Sequence, residues 1–72
     1  MGNNNHLVSV VMAVYNESEH IIDAIESVFN QTFSNFEFII IDDGSTDGTT
    51  SIIKSFDDDR IQLIQNQNNR GL

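Results

Sequence analysis

Apolar and polar residues along the chain fall into blocks that predict three strands and two helices. The run from Leu7 to Val14 is rich in Val and has Ser9 as its only polar residue, which is typical of a buried strand. The run from Phe36 to Ile41 is apolar apart from Glu37 and predicts a second strand. Residues 61–65 predict a third, shorter strand.

The segments between these strands have the spacing of amphipathic helices. In residues 18–31, apolar side chains recur every three or four positions and acidic ones fall on the other side. Asn16 or Ser18 is predicted to cap this helix. A second helix is predicted from residue 46 or 47 to residue 56. The apolar positions are Ile21, Ile22, Ile25, Val28 and Phe29 in the first helix, and Ile52, Ile53 and Phe56 in the second.

This element order is that of one half of a doubly wound nucleotide-binding domain, which is an α/β fold. Right-handed crossovers predict three parallel strands in the spatial order 3-2-1. Because the second strand lacks clean alternation, we expect it in the middle of the sheet, with helices packed above and below. Residues 1–6 are predicted to be a disordered tail, and residues 7–72 one small domain.

The predicted strand order leaves the strand from Leu7 to Val14 at a lateral edge of the sheet. An apolar edge strand with unpaired backbone groups is a template for pairing with another strand. We therefore expect the chain to be the amino-terminal part of a longer protein in which a further strand pairs there. If the chain is isolated, we expect a second copy to cover this edge and form a homo-oligomer.

Composition narrows the classes of function. The 72 residues carry a formal net charge of −8, which argues against binding to nucleic acid or to an anionic membrane surface. The absence of Cys excludes disulfides and thiolate metal sites. The first residues, MGNNNHL, have no basic region and no long apolar run, so no secretory signal is predicted. A location in the cytoplasm or on the cytoplasmic face of a membrane is expected.

Candidate chemistry lies where the first two strands end. Asp42 and Asp43 follow the second strand, at the end where open α/β sheets bind ligands. Alternatively, this is a solvated strand end at which one Asp caps the following helix. Tyr15 follows the first strand, where a nucleotide base could stack on its ring while Asp43 accepts hydrogen bonds from the base imide or from ribose hydroxyls. Tyr15 could instead pack on the end of the sheet.

Several other sites are excluded by spacing. Residues 13–17 contain no Gly, so the dinucleotide fingerprint G-x-G-x-x-G is missing, and no P-loop motif occurs. An EF-hand starting at Asp43 fails because its twelfth position is Lys54. The acidic run 57–59 is predicted to be a solvated turn. A receiver domain is excluded because such domains carry their acidic pair after the first strand.

Four separated segments resemble the family 2 glycosyltransferases, which have the GT-A fold. They are VSVVMAVYNE (residues 8–17), SVFNQTF (27–33), FEFIIIDDGSTD (36–47) and NRGL (69–72). The resemblance implies the Rossmann-like βαβαβ half of a GT-A domain, which binds the nucleotide of a nucleotide-diphospho-sugar donor; a UDP-sugar is the expected donor. The implied nucleotide-binding residues are Ala13, Tyr15, Glu17 and Asp43, with Asp42 as a further candidate. The position of Ala13 is often Pro in the family, but mainly its backbone matters there.

The resemblance also implies that parts of the enzyme lie outside this chain. The family's metal-binding D-x-D follows a fourth strand, and its general base and acceptor site lie further on. A divalent cation, Mg or Mn, is therefore expected in the full-length enzyme, with ligands outside these residues. The sequence 57–59 imitates D-x-D but lies between a helix and the third strand. The alternative function is a catalytically inert, self-associating α/β fragment that binds no ligand.

Overall fold

A computed structural model describes residues 8–31 and 35–66 of the chain. The predicted tail, Leu7 and the terminal segment 69–72 lie outside the described residues. All five predicted elements are present in the predicted order. They are β1 (Val8–Val14), α1 (Ile21–Gln31), β2 (Phe36–Asp42), α2 (Thr49–Lys54) and β3 (Ile61–Gln65).

The three strands form one parallel sheet, which gives the α/β architecture that the pattern predicted. Their order is β1-β2-β3, with β2 in the middle, and it reads 3-2-1 from the other edge. Val14 is the register partner of Asp42, and Asp42 is the register partner of Gln65. The three strands therefore finish side by side, at what we call the carboxyl end of the sheet.

The hydrophobic core lies between one face of the sheet and both helices. The side chains of β2 alternate along the strand, so that those at even positions are buried and those at odd positions are half-buried. The even positions face the helices, because they share one cluster with buried residues of α1 and α2. That cluster consists of Val14, Ile21, Ile25, Phe36, Phe38, Ile40 and Ile53.

The prediction of helices above and below the sheet is wrong for the described residues. Both crossovers step across the sheet in the same direction, from β1 to β2 and from β2 to β3. When both connections are right-handed, that direction puts both helices on the same side. The two helices consequently contact each other as well as the sheet.

The opposite face, which we call the open face, has no helix over it within the described residues. Val11 is 60% exposed there and Ile64 is 48% exposed. Toward the start of the strands this face becomes polar. Ser9 Oγ donates a hydrogen bond to Glu37 Oε2 at 2.5 Å, and Gln62 Nε2 donates one to Glu37 Oε1 at 3.2 Å. Glu37 thus joins all three strands on the open face.

Helix α1 begins at Ile21, three residues later than predicted. The preceding residues form a turn in which the amides of His20 and Ile21 donate to the Glu17 carbonyl, at 2.9 and 2.8 Å. Of the two predicted caps, Asn16 or Ser18, Asn16 does not cap α1, because its side chain accepts hydrogen bonds from the amides of residues 46 and 47 instead.

Helix α2 is shorter than predicted at both ends, since it covers only Thr49–Lys54. Its late start has a local cause. The backbone amides of Ser45, Thr46 and Asp47 donate to side chains of Asp42 and Asn16, which hold these residues in a loop. The residues predicted to open the helix therefore belong to the β2–α2 loop.

Candidate functional site

Two loops meet at the carboxyl end of the sheet. They are the β1–α1 loop, residues 15–20, and the β2–α2 loop, residues 43–48. The amide of Asp43 donates to the Val14 carbonyl at 2.9 Å, so pairing of the two strands continues one residue beyond β2. Tyr15 directly follows Val14, and Asp43 directly follows Asp42, the register partner of Val14. The predicted placement of these two residues at the same end of the sheet is confirmed.

Tyr15 presents its ring toward solvent at this end. The residue is 47% exposed, so it is not packed into the core. Of the two alternatives for Tyr15, the structure favours an accessible ring over one that seals the sheet end. An exposed aromatic ring beside polar groups is the kind of surface on which a base can stack.

Asp42 is buried, with 1% of its surface exposed. Its Oδ1 accepts from the Ser45 amide at 3.0 Å, and its Oδ2 accepts from the Thr50 hydroxyl. Burial acts to raise the pKa of Asp42, but the hydrogen bonds from Thr50 and Ser45 outweigh it and leave the pKa below its ordinary value. One oxygen of Asp42 therefore holds Ser45 of the β2–α2 loop and the other holds Thr50 of α2, so both are engaged in structure; Asp42 does not cap the helix, because the N-cap of α2 is Gly48.

Asp43 is half-buried and differs from its neighbour in having accessible acceptor capacity. Its Oδ1 receives one long contact, 3.5 Å, from Asn66 Nδ2. The Asn66 amide donates to the Asp42 carbonyl at 2.8 Å, which holds the residue after β3 close to Asp43. A carboxylate can accept about four hydrogen bonds, so Asp43 retains sites for a ligand.

Ala13 and Glu17, the other two predicted site residues, lie on either side of Tyr15 in the chain. Ala13 is the register partner of Ile41 and has its side chain on the open face. The Glu17 amide donates to Thr49 Oγ1 at 2.8 Å. The Glu17 carboxylate is 3.8 Å from His20 Nδ1 in a solvent-exposed pair. Glu17 is thus bonded to the β2–α2 side of the site through its backbone, whereas its side chain pairs with His20 within the β1–α1 loop.

Asp47 holds the turn that precedes α2. Its Oδ1 accepts from the Thr49 amide at 2.9 Å and from the Thr49 hydroxyl at 2.5 Å, while its Oδ2 accepts from the Ser18 amide at 3.2 Å. These bonds, first of all that from the Thr49 hydroxyl, lower the pKa of Asp47 to about 2. Asp47 therefore connects the start of α2 to the β1–α1 loop.

A cleft of about 290 Å³ opens between the β2–α2 loop and the end of β3. The loop turns sharply at Gly44, whose φ of 84° is accessible to Gly but disfavoured for residues with a Cβ. The residues that line the cleft are polar, apart from one Gly. Its lining consists of Asp42, Gly44, Ser45, Thr46, Thr50, Gln65 and Asn66.

Two asparagines of the site were missed by the interpretation of the sequence. Asn16 has a φ of 51°, in the left-handed region that Asn tolerates better than most residues. Its position directly after Tyr15, where the chain must leave the sheet, was an available signal. Asn66 had no comparable signal, because its role depends on the register of β3 with β2.

The acidic run 57–59 lies away from this site, before β3, and forms the predicted turn. Asp58 pairs with Arg60 at 2.8 Å, and the hydrogen bonds from Arg60 lower the pKa of Asp58 to about 2. Across residues 8–31 and 35–66, no three His, Cys, Asp or Glu side chains gather as a metal site would require. In the same residues, no helix combines the length and the apolar character needed to cross a membrane.

Known proteins resemble this chain over nearly all of its length. Residues 9–72 match the family described as Glycosyl transferase family 2. The chain is 44% identical to EpsE of Bacillus subtilis, over 97% of this chain and 26% of EpsE. It is 35% identical to the glycosyltransferase GlyG of Streptococcus pneumoniae, over 93% of this chain and 23% of GlyG.

A further relative has a name that states its substrates. WfaP of Escherichia coli, a UDP-Glc:alpha-D-GlcNAc-diphosphoundecaprenol beta-1,3-glucosyltransferase, is 45% identical over 90% of this chain and 26% of WfaP. The chain thus spans about a quarter of the length of these curated relatives. Since the family match extends from β1 to the last residue and includes both loops at the carboxyl end of the sheet, this chain belongs to glycosyl transferase family 2.

Proposed function

We propose that this chain binds the nucleotide of a nucleotide-diphospho-sugar donor, in a protein that transfers the sugar to an acceptor hydroxyl. The observation that carries the proposal is the bond from the Asp43 amide to the Val14 carbonyl, because it brings the residues after β1 and β2 together. Ligands of open α/β sheets bind at this end of the strands. Membership of glycosyl transferase family 2 supports the same conclusion.

In this proposal, the base stacks on Tyr15 and Asp43 accepts from the base imide or from ribose hydroxyls. The exposure of the Tyr15 ring and the free acceptor sites of Asp43 support these two roles. The backbone of Ala13 and the loop residue Glu17 complete the nucleotide side of the site. Asp42 contributes by holding the β2–α2 loop against α2, since one of its oxygens accepts from Ser45 of the loop and the other from Thr50 of the helix.

We propose a UDP-sugar as the donor, because the name of the relative WfaP specifies UDP-Glc. The acidic side chains at the site favour contact with the nucleoside part of the donor over contact with its diphosphate. Asp42, Asp43 and Asp47 are acidic and lie in or next to the β2–α2 loop, whereas Lys54 ends α2 and Arg60 precedes β3. An anionic diphosphate is therefore expected to need a compensating cation.

A divalent cation, Mg or Mn, would supply that charge in the whole protein. The described residues of this chain do not fit it, because they gather no group of three ligands and Asp42 is already engaged. We propose that its ligands, the general base that takes the proton from the acceptor hydroxyl and the acceptor site all lie outside this chain. We further propose action in the cytoplasm or at the cytoplasmic face of a membrane, in line with the lipid-linked acceptor in the name of WfaP.

The alternative is an inert α/β fragment that self-associates through the edge of β1 and binds no ligand. It is favoured by one observation, the lateral edge position of an apolar strand in which Val8 is 39% exposed and Val11 is 60% exposed. The two functions differ in whether the isolated chain binds nucleotide.

Calorimetric titration of the chain with UDP and Mg separates the two. The proposal predicts saturable binding that Asp43→Ala weakens by about 1–3 kcal/mol, since a hydrogen-bonding group of the nucleotide loses its partner. Asp59→Ala serves as the control, because Asp59 is an exposed acid in the turn before β3. A flat titration supports the inert fragment, and equal affinities of wild type and Asp43→Ala remove Asp43 from the site.

A further inference from the structure

Asn16 has a backbone conformation unlike that of the other residues around it. Its φ is 51°, and it is the one residue other than Gly with a positive φ in the described part of the chain. Asn enters this left-handed region at less cost than most residues, because its short polar side chain can bond to nearby backbone. The turn at Asn16 directs the chain from Tyr15 toward α1.

The side chain of Asn16 bonds to the other loop of the site, not to its own. Its Oδ1 accepts from the Thr46 amide at 2.8 Å and from the Asp47 amide at 3.3 Å. Its own amide donates to Ser45 Oγ at 2.9 Å. One residue thus makes three bonds to a segment about 30 residues away, and all three of its partners lie in the β2–α2 loop.

The two residues after Asn16 continue this connection. The Glu17 amide donates to Thr49 Oγ1 at 2.8 Å, and the Ser18 amide donates to Asp47 Oδ2 at 3.2 Å. Three consecutive amides of the β1–α1 loop therefore have side-chain partners in or just after the β2–α2 loop. Of these three residues, Asn16 alone also accepts a hydrogen bond from an amide of the β2–α2 loop. It therefore connects the loops through both its backbone and its side chain.

We propose that Asn16 is a positioning residue, which fixes the spacing of Tyr15 and Asp43 for the nucleotide without contacting the nucleotide itself. The inference rests on the proposed function. Tyr15 precedes Asn16 directly, and Asp43 begins the loop to which Asn16 is bonded. A site whose two loops are already connected loses less conformational freedom on binding than one whose loops move independently.

Two substitutions distinguish the role of the Asn16 side-chain acceptor from the role of its backbone conformation. Asn16→Gly keeps the left-handed φ but removes the acceptor, whereas Asn16→Asp keeps an acceptor oxygen and tolerates the same φ. UDP affinity is expected to fall about tenfold in Asn16→Gly and to stay within about threefold of wild type in Asn16→Asp. Asn30→Asp, an exposed position near the end of α1, controls for the added charge.

Amide hydrogen exchange provides a measurement that needs no nucleotide. The Thr46 and Asp47 amides should exchange faster in Asn16→Gly than in wild type, and Asn16→Asp should restore their protection. Urea denaturation gives the unfolding midpoint of each variant, and UDP affinity is measured without urea, where the variant is folded. If Asn16→Gly does not fold, Ser45→Ala, which removes the acceptor of the Asn16 amide, takes its place with the same expected loss of affinity.

The proposal is overturned if Asn16→Gly binds UDP as wild type does, or if Asn16→Asp is as weak as Asn16→Gly. Unchanged exchange at Thr46 and Asp47 in the Gly variant also overturns it. If wild type binds no UDP while exchange responds as expected, the proposed function fails and the connection between the loops stands.

Discussion

Asp42 and Asp43 are neighbours in the chain, but their side chains have different surroundings. Asp42 is at the last even-numbered position of β2 and points to the helix side, where it is 1% exposed and bonded to Ser45 and Thr50. Asp43 points the other way and has one long contact, from Asn66. The first carboxylate supports the loop and α2, and we propose that the second contacts the ligand.

This assignment predicts opposite effects of two adjacent substitutions on stability. Asp42→Ala leaves the half-buried Thr50 hydroxyl and the Ser45 amide without their acceptor, and the free energy of unfolding should fall by about 1–3 kcal/mol. Asp43→Ala should change it by no more than about 0.5 kcal/mol, because the one side-chain hydrogen bond that the structure gives this carboxylate is long. Urea denaturation of the two variants measures the difference, and equal losses would contradict the assignment.

The placement of Tyr15 and Asp43 at the carboxyl end of the sheet was predictable from the sequence. Neighbouring parallel strands in register end together, whatever side chains they carry. The sequence could also have assigned Asp42, which continues the buried positions 36, 38 and 40 of β2. The role of Asn16 was not predictable in the same way. It depends on the backbone conformation of one loop and on its distance from another loop about 30 residues away.

At the scale of elements, helix α2 has only six residues and depends on its neighbours. A helix this short has little stability of its own in water. Its first residue, Thr49, is bonded to Asp47 and to the Glu17 amide, and Ile53 anchors it in the core. The sequence predicted a helix here but overestimated its length, because residues 45–47 are held by side chains that only the folded loops bring near.

The pKa of Asp47 predicts how the stability of this region depends on pH. The pKa is lowered from 3.8 to about 2, so the carboxylate stabilises the folded chain fully above pH about 4 and loses that effect as the pH falls through about 2. Asp47→Asn should lower the urea midpoint at pH 7 and converge on wild type near pH 2. Asp58 also has a pKa of about 2 and continues to titrate in both proteins. An identical difference between the two proteins at every pH would contradict this account.

At the scale of the whole molecule, the described chain is one-sided. Both helices cover one face of the sheet, and Val11 and Ile64 on the open face remain 60% and 48% exposed. The lateral edge of β1 is unpaired within the described residues. The predicted strand order implied the exposed edge. It also implied the open face, because two right-handed crossovers in the same direction put both helices on one side of the sheet, and the prediction of helices on both faces was inconsistent with it.

These surfaces predict how the isolated chain behaves in solution. We expect it to self-associate through the β1 edge, and Val11→Lys should shift it toward the monomer because a charge then lies on that strand. Ile22→Lys is the control, since Ile22 is 46% exposed on α1, away from the sheet. Sedimentation velocity over a range of concentrations measures the effect. A monomeric wild type, or equal effects of both substitutions, would contradict the expectation.

The central claim is that the nucleotide binds where the loops after β1 and β2 meet. Titration of the ¹⁵N-labelled chain with UDP, followed through the amide resonances, tests this claim most directly. We predict that the resonances of Tyr15, Asn16, Asp43 and Gly44 shift with a common saturation curve, while those of the turn at residues 57–60 do not. Shifts confined to other parts of the chain, or no shifts at saturating UDP, would contradict the claim.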